Sequence, residues 1–246
     1  MENPAAWPTQ LTDYLTERLQ CEPELLARPG VHLVEARQPR LRVFRYAMPL
    51  WIMAFEDTAI ASVAPEMASA VGRIIERATV EQLLHAPVVT RLRASAAARG
   101  PVDRFGPGLW LYCTEETFTQ RTLAEVVPVP PDHPEGKTLR QRHGGEVFGV
   151  FRGPELISRS SIKTENDTAW EIAVTTAEAH RRHGLGASVV SRATEFILAS
   201  GKLALYNCDL DNHASQALAE SLGYRLFARD LMWTIEAMWM QWFWTD

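Results

Sequence analysis

A seven-residue stretch in the second half of the chain has the composition of an anion-binding turn. It reads Arg181-Arg182-His183-Gly184-Leu185-Gly186-Ala187. A strand-like segment, 170–176, precedes it, and a segment with a helical period of apolar residues follows. The start of a helix exposes unpaired N–H groups and the positive end of the helix dipole, and glycine lets a ligand approach that backbone. The stretch therefore favours a phosphate group as its ligand.

Two common phosphate-binding motifs do not fit this chain. A dinucleotide-binding turn needs a third glycine, and Val189 occupies that position. A P-loop needs the pattern GxxxxGK[ST]. The chain contains Gly136-Lys137-Thr138, but Pro131 stands where the first glycine belongs. Neither motif is therefore predicted.

A second motif follows downstream, after a predicted helix to about residue 200 and a predicted strand, Leu203–Cys208. Asn212 opens a further predicted helix, which closes on Leu222-Gly223-Tyr224. The Arg-x-x-Gly-x-Gly turn and this second motif resemble the two signatures of the GNAT superfamily of N-acetyltransferases. The resemblance covers approximately residues 140–235.

This resemblance implies an α+β protein with the GNAT acyl-CoA N-acyltransferase fold. The expected sheet is mixed and mostly antiparallel, and it contains a splayed pair of parallel strands. The implied activity is transfer of an acetyl group from acetyl-CoA to a primary amine, by direct attack in a ternary complex. The acceptor would be a small molecule or a peptide amine, and no metal is implied.

The resemblance also implies how acetyl-CoA is held. The turn would bind the diphosphate, the backbone of the central strand would pair with the pantetheine arm, and the second motif would add a contact. The implied cofactor-binding residues are Ile172, Val174, Thr176, Arg181, Arg182, His183, Gly184, Leu185, Gly186, Ala187, Asn212 and Ser215. Two alternatives stay open, since the arginines could be solvated surface residues and Asn212 a simple helix cap.

The reaction requires three kinds of assistance. The amine must lose a proton, the tetrahedral oxyanion needs a donor, and the thiolate must leave. Glu171, on the central strand, is the predicted general base, although a structural carboxylate explains it equally well. A backbone N–H near Val174 is the predicted oxyanion donor.

The chain departs from the family where a tyrosine usually serves as the acid, because Ala219 holds that position. Ser215 or water could substitute, or the thiolate could leave unassisted, since a thiol of pKa about 8.5 is a fair leaving group. The departure leaves an alternative function open: a module that binds or senses acyl-CoA without turning it over.

Composition and motifs argue against several other classes of protein, including nucleic-acid-binding, metal-binding and membrane proteins. The net charge of −5 gives no reason to expect nucleic-acid binding. His180 and His183 have no evident third partner, so no metal site is predicted. The three cysteines form no CxxC pair. The N-terminus does not resemble a signal peptide, and no apolar run reaches the roughly 18 residues of a membrane span. A cytoplasmic protein without a membrane partner is therefore expected.

Two domains are predicted, 1–125 and 126–246. The first is an α+β domain without a recognisable site, either a degenerate GNAT-like domain or a covering extension. Four prolines in 126–136 are taken to exclude regular structure and to mark a linker or a loop beside the acceptor pocket. The apolar tail 238–244 is expected to pack on the rest of the chain or on a second subunit, which would make a homodimer.

Overall fold

The computed structural model describes residues 4–36, 46–102 and 104–236. The chain divides into two compact units, Trp110–Leu226 and the remainder on either side of it. The predicted domain limits, 1–125 and 126–246, differ from this division and stay a prediction, because compactness alone does not define a folding domain. The predicted packing of the tail 238–244 concerns residues outside the described ranges.

Helices and strands alternate irregularly along the chain, as in other α+β proteins. The described helices are α1 (Thr9–Leu19), α2 (Pro23–Leu26), α3 (Pro65–Ile75), α4 (Ala86–Ala97), α5 (Pro134–His143), α6 (Leu185–Ala199) and α7 (His213–Ser221). The described strands are β1 (Gly30–Glu35), β2 (Tyr46–Phe55), β3 (Thr58–Val63), β4 (Arg104–Cys113), β5 (Val127–Pro128), β6 (Gly144–Arg152), β7 (Glu155–Lys163), β8 (Ala169–Thr176), β9 (Leu203–Asp209) and β10 (Arg225–Glu236).

The first unit contains strands in the order β1-β3-β2-β10, of which only β1 and β3 are parallel. Its helix α3 starts on Pro65, at a position where the missing N–H loses no helical hydrogen bond. Met67, Val71 and Ile75 recur at helical spacing and are buried in the core of this unit. The unit thus combines helices and strands around one core.

The second unit contains strands in the order β9-β8-β7-β6-β5. The strands β6 and β7 form a hairpin, β7 and β8 are antiparallel, and β8 and β9 are parallel. Helix α6 is the crossover between the parallel strands, and it buries Val189, Val190, Ala193 and Ile197. This mixed, mostly antiparallel sheet with one parallel pair confirms the predicted fold class.

The expectation that residues 126–136 contain no regular structure is wrong. The strand β5 pairs with β6, and Val129 continues the pairing by donating its N–H to the Val147 carbonyl at 2.8 Å. Helix α5 begins inside the segment, at Pro134. Proline is tolerated at an edge strand and in the first turn of a helix, because the missing N–H would be unpaired there.

The Leu-Gly-Tyr end of the second motif fixes a close crossing of two chain segments. Gly223 has a φ of +89°, and a Cβ there would overlap the carbonyl oxygen of Thr117. The neighbouring Thr119 N–H donates to the Leu222 carbonyl at 2.9 Å. The Tyr224 hydroxyl hydrogen bonds to Thr194 on α6 at 2.7 Å. The glycine is therefore required both by its backbone angle and by the crossing.

A pair of alanine substitutions separates these two requirements. Gly201 also has a positive φ, +70°, but a Cβ there would meet nothing within 4 Å. Gly201→Ala should cost roughly 1–2 kcal/mol of unfolding free energy from backbone strain alone. Gly223→Ala should cost about 3 kcal/mol or more, because overpacking is added. Urea unfolding of both variants measures the difference, and equal costs would contradict the crossing.

Candidate functional site

The pairing between the parallel strands β8 and β9 ends halfway along β8. Their register runs from the pair Ala169–Leu203 to the pair Ile172–Tyr206 and goes no further in this fully described stretch. Both strands nevertheless continue, to Thr176 and to Asp209. The gap between residues 173–176 of β8 and 207–209 of β9 is called the fork below. Its edges carry main-chain groups that the parallel ladder does not pair.

The orientation of the β8 backbone follows from its other neighbour. Ala177 N–H donates to the Ile157 carbonyl at 2.8 Å, in the same register as the β7–β8 ladder. Because main-chain groups alternate direction along a strand, the groups of residues 173 and 175 point to β7. Those of Val174 and Thr176 point to the fork, and those of Ile172 point to β9. At the three predicted cofactor-binding positions, Ile172, Val174 and Thr176, the main-chain N–H and C=O groups thus all point away from β7.

The side chains at these three positions have structural partners. Ile172 is buried, Val174 packs beside Val189 of α6, and the Thr176 hydroxyl hydrogen bonds to Ser158 at 2.8 Å. What these residues can offer a ligand is therefore their backbone.

The turn between β8 and α6 exposes a run of unpaired amides. The first hydrogen bond of α6 runs from the Ser188 N–H to the Gly184 carbonyl, at 3.0 Å. Among the described residues, the six consecutive N–H groups from Arg182 to Ala187 have no protein acceptor. An ordinary helix start leaves four. Left-handed φ angles at Arg182 (65°) and Gly184 (76°) bend the chain here.

The side chains of the turn are mostly exposed, including those of Arg181, Arg182 and His183. Arg181 donates from Nε to the Thr176 carbonyl at 3.2 Å, which brings its positive charge to the mouth of the fork. Leu185 is half-buried and belongs to the apolar cluster under α6. The arrangement can hold an anion through its amides, with arginine beside them.

Both glycines of the turn lie in tight surroundings. A Cβ at Gly186 would lie 3.1 Å from Leu218 of α7 and 3.4 Å from the Thr176 hydroxyl oxygen. A Cβ at Gly184 would overlap Leu123, whose side chain is 67% exposed. Leu123 thus occupies the side of Gly184 where a side chain would stand, while the amides of the turn stay unpaired. Sequence reasoning missed Leu123, because its place depends on a contact 61 positions along the chain.

Glu171 lies on the face of β8 opposite α6, within a set of polar contacts. Its Oε2 accepts from Lys163 Nζ at 3.0 Å and from Asn207 Nδ2 at 3.1 Å. Lys163 is its register partner on β7. Two donors on different strands therefore fix the orientation of this carboxylate.

His143, at the end of α5, is a buried group near Glu171 that sequence reasoning missed. Its side chain is 6% exposed, and Nδ1 lies 2.7 Å from the Ser161 hydroxyl. Burial, helped by the positive charge of Lys163, lowers the pKa of His143 to about 4. The imidazole is therefore neutral at physiological pH. A lone histidine at a helix end gave no signal in the sequence.

The second motif places Asn212 and Ser215 at the start of α7. Asn212 caps the helix, since its side chain accepts from the Ser215 N–H at 3.1 Å. The Ser215 hydroxyl lies 2.7 Å from the hydroxyl of Tyr206. Ala219, at the position of the family's tyrosine, is fully buried. The cap is thus a structural role of Asn212, whatever else it contacts.

The part of the chain that the structure describes contains neither a metal-ligand cluster nor a membrane-spanning helix. No group of three or more His, Cys, Asp or Glu residues there is arranged to hold a metal ion. No helix there combines the length and the apolar character needed to cross a membrane.

The low pKa of His143 makes stability depend on pH. Below about pH 6.5 the unfolded chain takes up a proton at this histidine, whereas the folded chain does so only near pH 4. Stability should therefore fall as the pH drops through this window, with a slope of up to about 1.4 kcal/mol per pH unit.

His143→Gln, which retains a polar partner for Ser161, should flatten that slope. Denaturant unfolding at pH 7, 6 and 5 measures it. The matched control is His213→Gln, since His213 is exposed. An unchanged slope in the His143 variant would show that this group does not carry the pH dependence.

Comparison with known proteins finds a family match in the second half of the chain. Residues 142–229 match the family GNAT acetyltransferase, whereas no curated protein matches the sequence. The matched segment contains the turn, the fork, Glu171 and the second motif.

Three solved structures illustrate the structural relatives. A GNAT-family protein from Novosphingobium aromaticivorans has 20% identity and a TM-score of 0.47, covering 55% of this chain and 67% of its own. A GCN5-related N-acetyltransferase-like protein from Streptococcus suis has 13% identity and a TM-score of 0.48, covering 91% and 99%. The protein yncA from Salmonella typhimurium, solved with acetyl-CoA, has 21% identity and a TM-score of 0.33, covering 40% and 68%.

These TM-scores lie below 0.5, so the assignment rests on the matched segment and its motifs. The family uses acetyl-CoA as the acetyl donor. Residues 142–229 match a GNAT acetyltransferase domain, and this match supports a transferase enzyme.

Proposed function

We propose that this enzyme transfers an acetyl group from acetyl-CoA to a primary amine, by direct attack of the amine while both substrates are bound. The observation that carries the proposal is the run of six unpaired amides from Arg182 to Ala187, beside the open backbone edge of β8. Acetyl-CoA carries a diphosphate and an arm with two amide groups, so its chemistry fits both features. When bound, it supplies the thioester carbon that the amine attacks.

The Arg181–Ala187 turn would hold the diphosphate. Amide N–H groups and the positive end of α6 favour a dianion there, and Arg181 and Arg182 add charge. A side chain at Gly186 would meet Leu218 and Thr176, so glycine keeps this backbone accessible. The role of Asn212 as a further cofactor contact is part of this proposal.

The β8 backbone would hold the arm and polarise the thioester. The main-chain groups of Val174 and Thr176 point into the fork, where an extended arm can pair as an added strand does. The Val174 N–H is the donor proposed for the oxyanion of the tetrahedral state. A donor fixed in the sheet needs no reorganisation as the charge develops.

Glu171 would take the proton from the amine, directly or through a water molecule. Its carboxylate is oriented by Lys163 and Asn207, and it lies one residue from the pair at which the fork opens. A base must be held in a fixed position to be effective.

The alternative, an acyl-CoA-binding module without turnover, has one observation in its favour. Ala219 is buried and apolar where a phenolic acid is usual, so the departing thiolate receives no proton from that position. Thiol release in the presence of amines decides between the two functions.

Introducing a charge at position 186 tests the cofactor site. Gly186→Glu places a carboxylate against the diphosphate and should weaken acetyl-CoA binding roughly 100-fold or more. Gly186→Gln is the matched control, since it has nearly the same size without the charge. Isothermal titration calorimetry with acetyl-CoA compares both variants with the parent. Similar affinities for the two variants would refute the electrostatic part of the site, and no binding to the parent would refute the cofactor.

Removing the carboxylate tests the base. Glu171→Gln should lower the rate of amine-dependent thiol release roughly 100-fold, with acetyl-CoA affinity little changed. The measurement is thiol release from acetyl-CoA with a panel of primary amines. Glu155→Gln is the matched control, because it makes the same change at an exposed carboxylate of β7. Full activity of Glu171→Gln would assign Glu171 a structural role, and no release by the parent with any amine would favour the binding module.

A further inference from the structure

Tyr206 stands where the fork opens. It is the last residue of β9 in register with β8, and its side chain is 1% exposed. Because side chains alternate between the faces of a strand, Tyr206 leaves the sheet on the same face as its partner Ile172. That face is covered by α6 and by α7, from which Ser215 meets the phenol oxygen at 2.7 Å.

Ser215 is held in place from two directions. Its backbone N–H is bonded by the Asn212 side chain, and its hydroxyl is bonded to Tyr206. The side chain is half-buried, so part of it reaches solvent or a ligand. Cys208, two residues beyond Tyr206 on β9, also contacts the Ser215 hydroxyl. The hydroxyl therefore lies beside the fork with its orientation set by a strand residue.

The geometry of the second unit places the far end of an extended ligand beside the Ser215 hydroxyl. The Arg181–Ala187 turn adjoins Thr176, through Arg181 Nε and through the close approach of Gly186. From Thr176 to Ile172, β8 runs about 13 Å. An arm that carries two amide groups spans a comparable length, roughly that of four residues. A ligand anchored at the turn thus ends near Tyr206 and Ser215.

We propose that Tyr206 positions the Ser215 hydroxyl to donate a hydrogen bond to the sulfur of the departing thiol. This inference rests on the proposed function. As the amine nitrogen bonds to the carbonyl carbon, the carbon–sulfur bond breaks and its electron pair goes to sulfur. Ser215 donates its O–H to that sulfur, while Tyr206 donates its O–H to the Ser215 oxygen. Neither residue gives up its proton: the thiolate is protonated later by water, and the proton of the amine goes to the base.

The direction of the hydrogen bond follows from the acidity of the two hydroxyls. The phenol is the stronger acid and so the better donor, and burial raises the pKa of Tyr206, which keeps the phenol protonated. When Tyr206 donates, the Ser215 hydrogen is directed elsewhere. The ring centroid of Tyr224 lies 5.7 Å from that of Tyr206. Tyr224 cannot replace Tyr206 in this role, because its hydroxyl is bonded to Thr194.

The experiment compares two ligands that differ only at sulfur: CoA, and CoA in which the thiol is replaced by hydrogen. Calorimetry at pH 7 and pH 9 brackets the ordinary thiol pKa of about 8.5. The parent should prefer CoA at pH 9 by roughly 10-fold more than at pH 7, because a hydrogen bond to a charged acceptor is among the stronger ones. Groups that titrate equally with both ligands cancel in the ratio.

The charged and titratable groups facing this point are Cys208 and Asp209 on β9, Glu220 on α7, and Tyr224. Cys208 is the one in contact with Ser215, and burial raises its pKa. Cys208→Ala therefore belongs in the series. If it removes the pH-dependent preference, the preference comes from Cys208 and the inference is overturned.

Ser215→Ala and Tyr206→Phe should each remove most of the 10-fold preference at pH 9. Tyr224→Phe is the matched control, since it removes a buried phenol from the same cluster without touching Ser215. Loss in Ser215→Ala alone, with Tyr206→Phe unchanged, would overturn the positioning role of Tyr206. A parent that binds both ligands equally at both pH values would overturn the inference and leave the cofactor site standing, whereas no binding of either ligand would overturn the proposed function itself.

Discussion

The candidate site depends on the interruption of the β8–β9 ladder after the pair Ile172–Tyr206. An unpaired main-chain group costs roughly 1–3 kcal/mol when it is buried, so a sheet normally closes such a gap. Here β7 pairs with β8 along its other edge as far as Thr176, beyond the point where the pairing with β9 ends. The main-chain groups of β8 that lack a strand partner therefore lie on the edge that faces the fork. In the proposed function, the amide groups of the ligand would pair with that edge.

The Arg181–Ala187 turn is supported from the side away from the sheet. The N–H groups of Arg121 and Leu123 donate to the hydroxyls of Ser191 and Ser188, at 2.9 and 3.0 Å. Serine is a weak helix former, but its hydroxyl can bond a segment that crosses the helix. This segment fixes the first turns of α6 and brings Leu123 against Gly184. The amides of the turn are thus held open by contacts made on the opposite face of the helix.

The local features of the site could be read from the sequence, and its surroundings could not. The glycines, the helix start and the Asn212 cap are decided by residues near one another in the chain, so spacing predicts them. The partners of Glu171 depend on strand register, which brings Lys163 and Asn207 together from different strands. The burial of His143 likewise depends on where α5 packs. The prolines of 126–136 led to a wrong prediction because the effect of proline depends on its position. Pro134 is the first residue of α5, whereas a proline in the interior of that helix would break it.

The two faces of the sheet divide the proposed chemistry. Glu171 and Ile172 are neighbours on β8, so their side chains leave on opposite faces. Glu171 meets Asn207 on one face, and Tyr206, in register with Ile172, meets Ser215 on the other. In the proposed function, an amine that loses its proton to Glu171 would approach from one face, and the sulfur would depart toward the other. In the tetrahedral state the nitrogen and the sulfur occupy different positions on the same carbon, so the proposed base and the proposed hydrogen-bond donor would act on it from different faces of the sheet.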